Sequence, residues 1–332
     1  PPLSFSFCIR RPSREQACYA AASACTSHDW LKGHGHATPR APDRRAGLAR
    51  LLLRRWPAPG TLARRGNLEG GADLVAVEQL DPRMGAIAAD DASLERLGTG
   101  FRFTEGPVWH PEGGFLLFSD MPDDHLRRWS AADGVATFRK PCNKSNGLAY
   151  DRQGRLLVCE HATSRVTRTE ADGRSTVLAS HWQGRELNSP NDIVCKSDGA
   201  IYFTDPTYGR MEGFGLKRQV MLDFRGAYRL ASNGTLTLLA DDFGQPNGLC
   251  FSLDEKRLYI NDTDRQHIRA FDVEADGTLK GGAVWAEVTG EGAGAPDGMK
   301  LDAGGNVYCT GPGGIHVFAP DATPLGRLRV PE

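Results

Sequence analysis

The sequence lacks almost everything that would tie it to a membrane, a nucleic acid or a zinc site. No apolar run approaches the ~20 residues that a membrane helix needs. Leu51-Leu52-Leu53 is short and is flanked by Arg50, Arg54 and Arg55. The formal net charge is −1, from 40 Lys+Arg against 41 Asp+Glu, so no electrostatic field favours nucleic acid. The eight cysteines include no CxxC pair and no Cys/His zinc spacing. Cys142, Cys159, Cys195, Cys250 and Cys309 fall in or beside apolar stretches and are expected as free, mostly buried thiols. No signal-peptide pattern is legible, because Arg10 and Arg11 follow a mixed stretch instead of preceding an apolar one. These absences favour the cytoplasm and leave the oligomeric state open.

Methionine is scarce as well: there are five, and the first is Met84. Residues 1–83 carry 12 Arg to 1 Lys and no apolar period, with a net charge of +6, while 84–332 sum to −7. The natural protein is therefore expected to start at Met84, with 1–83 an artefactual extension; a disordered basic tail is the alternative. The domain division expected is 1–83 as an extension and 84–332 as the folded domain. The His34-Gly35-His36 pair, inside that extension, is a poor metal-site candidate.

What is present is a repeat. Five segments open on an acid or amide followed by Gly or Asp: Glu105-Gly106, Asn146-Gly147, Asn191-Asp192, Asn247-Gly248 and Asp297-Gly298. The lead residues are 41, 45, 56 and 50 positions apart. Each segment passes through a turn into a second apolar strand that ends near Asp120, Glu160, Asp205, Asp262 or Thr310. A period of roughly 40–50 residues built of short strands is that of a β-propeller blade. The blades read as 105–140, 146–180, 191–241, 247–289 and 297–331. Asp133-Gly134, Asp172-Gly173, Asn233-Gly234 and Asp276-Gly277 mark tight turns within them. An outer strand over Glu95 to Phe103 is expected to help close the ring.

Radial repetition brings the five lead residues to one end of the central channel. Glu105, Asn146, Asn191, Asn247 and Asp297 form an all-oxygen set that suits a hard cation such as calcium. One Asn-Gly or Asp-Gly step alone is most simply a turn; five in phase point beyond that. Asp120, Glu160, Asp205 and Asp262 form a second ring that either orients the amides, binds substrate hydroxyls or caps strands. His161, His181, His267 and His316 share no spacing and read as surface or packing residues. Blade three is the longest, with a Gly-rich excess over Tyr208 to Gly226 that reads as a surface loop or as a lid.

At these residues the chain resembles the gluconolactonase/regucalcin (senescence marker protein) family. The matching strings are Phe103-Thr104-Glu105-Gly106-Pro107-Val108-Trp109, Leu187-Asn188-Ser189-Pro190-Asn191-Asp192, Tyr202-Phe203-Thr204-Asp205-Pro206-Thr207-Tyr208-Gly209, Pro246-Asn247-Gly248-Leu249 and Pro296-Asp297-Gly298-Met299. The resemblance implies an all-β, six-bladed β-propeller, so the chain reads as truncated after its fifth legible blade. It implies a divalent cation in the channel, most often calcium, with zinc, magnesium or manganese as alternatives. By position it puts the metal ligands at Glu105, Asn191, Asn247 and Asp297, with Asn191 closer to substrate in the regucalcin branch. Asn146 matches the bacterial gluconolactonase pattern and is expected in the same pocket, with Ser189 and Asp262 as further substrate contacts. Ser189 stands where the regucalcin branch has Arg, so sugar-hydroxyl recognition is expected to differ. The implied reaction is metal-dependent opening of a sugar-type lactone, a small-molecule substrate, with Asp297 as general base. The rivals are a phosphotriesterase of the diisopropyl-fluorophosphatase type and a non-catalytic calcium-binding propeller.

Overall fold

The computed structural model describes residues 8–9, 73–74, 76–88 and 92–330. Five consecutive antiparallel sheets build the blades of a propeller, and within each the strands follow chain order. Blade one is Thr104–His110, Phe115–Asp120, His125–Ser130 and Gly134–Arg139. Blade two is Ser145–Tyr150, Leu156–Glu160, Arg165–Thr169 and Ser175–Ala179. Blade three is Ile193–Cys195, Ile201–Asp205, Gly226–Leu230 and Leu236–Ala240. Blade four is Pro246–Phe251, Arg257–Asp262, His267–Val273 and Leu279–Glu287. Blade five is Met299–Leu301, Val307–Gly311, Gly314–Phe318 and Pro324–Arg329, with a fifth strand, Ala76–Gln79, on its outer edge.

The second strands explain the apolar runs. Leu156–Glu160 and Ile201–Asp205 are buried along their whole length, because each lies between two neighbouring sheets and has no solvent face. The cores accordingly sit between blades. Leu157 and Val166 of blade two pack with Phe203 and Tyr228 of blade three, and Tyr202 of blade three packs with Leu249 and Phe271 of blade four. The expected turns form as read: Gly134, Gly173, Gly234 and Gly277 all take positive φ. The five repeat cysteines are free, and four of them are buried.

The edges differ from expectation. The outer strand expected over Glu95 to Phe103 lies earlier, at Ser93–Glu95, and pairs with Asp73–Leu74 and Cys8–Ile9. Beyond it Gly98 packs tightly against Phe101 and Val135, and Gly100 turns at φ +84°, which ends extended pairing. Ala76–Gln79 runs antiparallel to Pro324–Arg329, and Arg329 forms an ion pair with Glu78 at 2.9 Å. Met84 is fully buried against Leu325 and Leu328. The expected boundary at Met84 therefore falls inside the packed structure, and a chain begun there would leave Pro324–Arg329 as an open edge. His34, His36, Cys18 and Cys25 lie outside the described residues. Among the described residues no helix is long and apolar enough to cross a membrane.

Candidate active site

The lead residues are brought together by contacts between successive inner strands. A Cβ at Gly106 would sit 2.0 Å from the Asn146 carbonyl oxygen. One at Gly147 would sit 2.3 Å from the Asn191 oxygen, and one at Gly248 would sit 2.2 Å from that of Asp297. Only glycine lets the next blade approach so closely. Hydrogen bonds fix the same junctions: Gly147 N donates to Asn191 O at 2.8 Å, and Gly248 N to Asp297 O at 3.1 Å. A second set of ties comes from the penultimate residue of the second strand in blades one, three and four. Ser119 Oγ donates to Asn146 O, Thr204 Oγ1 to Asn247 O and Asn261 Nδ2 to Asp297 O, at 2.9, 2.7 and 2.5 Å. Blades one to four thus each hold the lead residue of the next.

The acids of the site lie deep. Glu105 and Asp297 are half-buried residues whose carboxyls are enclosed by protein. Burial, then the Asp297 and Asp192 charges, hold the Glu105 carboxyl well above the usual range. Burial, then Asp192, push Asp297 up to about 7, against a smaller lowering by the Asn247 amide. Asp192 is the third acid. It stands at the second position of its step, where the other four have glycine, and its nearest cation is Lys300 Nζ at 3.9 Å. Both partners are buried.

The amides Asn146, Asn191 and Asn247 are buried too. Asn247 Nδ2 donates to Thr263 Oγ1 at 3.2 Å, and that hydroxyl donates to Pro296 O at 2.7 Å. Asn247 Oδ1 is left buried with no hydrogen-bond partner among the described residues. Two carboxylates that repel each other, beside an amide oxygen without a donor, fit a hard divalent cation. Among the described residues no group of three His, Cys, Asp or Glu side chains is arranged to hold a metal. The expected donors include only two such residues, so a cation there would rest on amide oxygens for the remainder.

Ser189 and Asp262, read as substrate contacts, are engaged elsewhere. Ser189 Oγ donates to Pro206 O at 2.6 Å and accepts from Gly209 N at 2.9 Å. Asp262 takes Gly244 N on one oxygen and Gln245 N on the other, at 2.7 and 2.9 Å. Asp205 does the same for Asn188 N and Ser189 N, and Asp120 for Arg102 N. Glu160 accepts from Arg165 Nε at 2.7 Å and Thr167 Oγ1 at 3.0 Å. Each oxygen is used by protein, and at three of these acids the donors are backbone N–H groups of the loop leading into the inner strand. The second ring therefore shapes these loops.

The Gly-rich excess of blade three folds inward. Tyr208–Arg210 forms a single 3-10 turn. Phe214 stacks edge-on against Phe103 of blade one at 5.5 Å. Arg218 donates to Ala162 O and Ser164 Oγ of blade two at 2.7 and 2.6 Å. The Tyr208 hydroxyl is buried, and burial foremost, with the Asp297 charge adding and Thr263 opposing, disfavours its ionisation. His161, read as a packing residue, is wholly buried, with Nε2 3.2 Å from Asn146 Nδ2 and Nδ1 2.9 Å from Phe214 O. Asp192 was legible as the one acid in a glycine column; His161 and Tyr208 carry no sequence signal of their own.

A family model described as "SMP-30/Gluconolactonase/LRE-like region" matches residues 103–332. A gluconolactonase from Zymomonas mobilis is 32% identical over 285 residues, 79% of each chain. A pentonolactonase from Haloferax volcanii is 29% identical over 245 residues, 70% of this chain and 75% of that one. A solved gluconolactonase structure from Xanthomonas campestris superposes with a TM-score of 0.73 at 34% identity, over 79% of this chain and 88% of the other.

Proposed function

The chain belongs to the SMP-30/gluconolactonase/LRE-like family, and we propose that it opens a sugar-type lactone to its hydroxy acid with the help of a divalent cation, calcium by preference. The observation that carries this reading is the pair of enclosed carboxylates, Glu105 and Asp297, both held toward their protonated forms among oriented amides. Relatives that act on gluconolactone and on pentonolactones support sugar lactones as a class. Glu105, Asn191, Asn247 and Asp297 are the residues that would hold the cation. When bound, the cation supplies Lewis-acid polarisation of the lactone carbonyl and offsets the repulsion between the acids. Asp297 is the carboxylate that accepts the proton of the attacking water. Asn146, and Asn191 where it does not ligate, hold substrate oxygens. The Phe214 loop limits access of bulk water to the pocket.

A panel of aldonolactones and one organophosphate, each with and without chelator, tests this. Expected is chelator-sensitive turnover of at least one lactone and none of the phosphotriester. Turnover of the organophosphate alone would make the protein a phosphotriesterase. Calcium binding with no turnover would make it a binding module.

The ring is proposed to hold six blades. Segment 84–103 runs from blade five, where Met84 and Leu94 join its core, to blade one, where Phe101 stacks on Phe118 at 5.2 Å. Gly106, Gly147 and Gly248 each press on the next inner strand, whereas no described atom lies within 4 Å of a Cβ built on Gly298. A sixth inner strand belongs against Gly298. Gly298→Val should therefore be nearly neutral to the melting temperature of the chain ending at Glu332. It should destabilise by about 3 kcal/mol a chain that carries a further blade, since backbone would have to move. Equal effects in both chains would favour a ring of five.

A further inference from the structure

Histidine 161 sits at an unusual crossing. It follows the last residue of the second strand of blade two, and its ring is enclosed by the blade-three insertion. A Cβ at Gly209 would lie 2.8 Å from His161 Cβ and Cγ and 2.6 Å from Ser189 Cβ, so the insertion needs glycine there to close over the ring. Both ring nitrogens are engaged: Nδ1 with Phe214 O at 2.9 Å, and Nε2 with Asn146 Nδ2 at 3.2 Å.

The chemistry of these partners decides the proton. A backbone carbonyl only accepts, so Nδ1 must carry the hydrogen and donate it to Phe214 O. Nε2 is then a lone pair, which requires a donor opposite it, and the amide nitrogen of Asn146 is that donor. The opposite amide orientation would set Asn146 Oδ1 against the Nε2 lone pair. Burial favours the neutral ring that this arrangement needs, pushing its pKa down to about 4. The Asn146 oxygen is thus left for a ligand, and its placement depends on a carbonyl in a loop 53 residues further along the chain from His161.

We propose that His161 is a positioning residue: through the chain Phe214 O, His161 and Asn146, the inward-folded loop of blade three sets the orientation of the Asn146 amide, so that the oxygen is presented to substrate only when the loop is seated. The role toward substrate rests on the lactonase reading. The orientation itself rests on geometry alone. The hydrogen bonds of His161 run to Asn146, Phe214 and Lys144, and none of them reaches Glu105, Asn191, Asn247 or Asp297. Its loss should act on substrate affinity and leave the cation in place.

Three variants of the full chain separate the links. His161→Phe keeps the ring shape and removes both hydrogen bonds. His161→Gln can still offer an oxygen to Asn146 Nδ2. Asn146→Ala removes the far end. Expected is a rise in KM of roughly tenfold in His161→Phe and in Asn146→Ala, with kcat changed less than threefold, partial recovery in His161→Gln, and no further rise in the double variant. Calcium binding by calorimetry should stay within about twofold of wild type in all of them. An unchanged KM in His161→Phe, or additive losses in the double variant, would overturn the proposal. Nitrogen NMR of the histidine-labelled wild-type protein provides the arm that needs no turnover. It should show His161 with a protonated Nδ1 and a bare Nε2, and the reverse tautomer would sink the idea whatever the activity. A protein that turns over no lactone yet shows the Nδ1–H tautomer would refute the lactonase reading and the substrate role of His161, leaving only the orientation of Asn146.

Discussion

Asp297→Asn is expected to lower lactone turnover by roughly 10³-fold, the scale of a lost general base, and to weaken cation binding. The substitution keeps the shape of the side chain. It also keeps the backbone ties at this position, where Gly248 N and Asn261 Nδ2 both bond the carbonyl oxygen. What it removes is a charge that burial and Asp192 already disfavour. The cation-free variant should therefore melt higher than the cation-free wild type near pH 8, while its activity falls. That opposition distinguishes a site residue from a structural one, for which activity and stability fall together. Glu105→Gln makes the useful comparison. Burial and the Asp297 charge likewise disfavour its ionised form, so it too should gain cation-free stability and lose cation affinity. If Asp297 is the base, excess cation will restore much of the turnover of Glu105→Gln and little of that of Asp297→Asn. Normal turnover in Asp297→Asn would remove the base assignment.

The parts of this molecule legible in the sequence are those fixed by backbone geometry. The five opening steps could be read because three of them, at Gly106, Gly147 and Gly248, demand glycine where the neighbouring strand comes within contact of Cα. The turn glycines could be read because each needs a positive φ. Lead residues followed from the period, since equal spacing around an axis puts like positions together. The roles of other residues were set by partners far along the chain, and no local pattern announces those. Loop backbone occupies the polar atoms of Asp262 and Ser189. His161 and Phe214 meet only because blade three carries extra chain that folds back over blade two. Ala76–Gln79 is a four-residue strand that becomes meaningful only beside Pro324–Arg329. Four residues are too few to show a period of their own.

Chelator-treated protein should be most stable in mild acid and lose stability as the pH rises. The sign follows from the direction of the shifts. Asp297 has an ordinary value of 3.8 and is pushed up to about 7 in the fold. Between those values the folded state holds a proton that the unfolded chain has released. Raising the pH across this window therefore favours unfolding, by about tenfold in the folding equilibrium per pH unit for each such group. Glu105 is raised for the same reasons and acts in the same direction. Asp205, also pushed up to about 7 by burial, adds to the slope away from the site. A bound cation requires the ionised forms of Glu105 and Asp297, so its stabilisation should grow over the same interval. The melting temperatures with calcium and with chelator should then lie close together at pH 5 and separate widely by pH 8. Asp297→Asn should leave a shallower chelator slope, losing both the share of Asp297 and the part of the Glu105 shift that the Asp297 charge produces. A gap between the two curves that stays constant from pH 5 to pH 8 would mean that the enclosed carboxylates do not hold the cation.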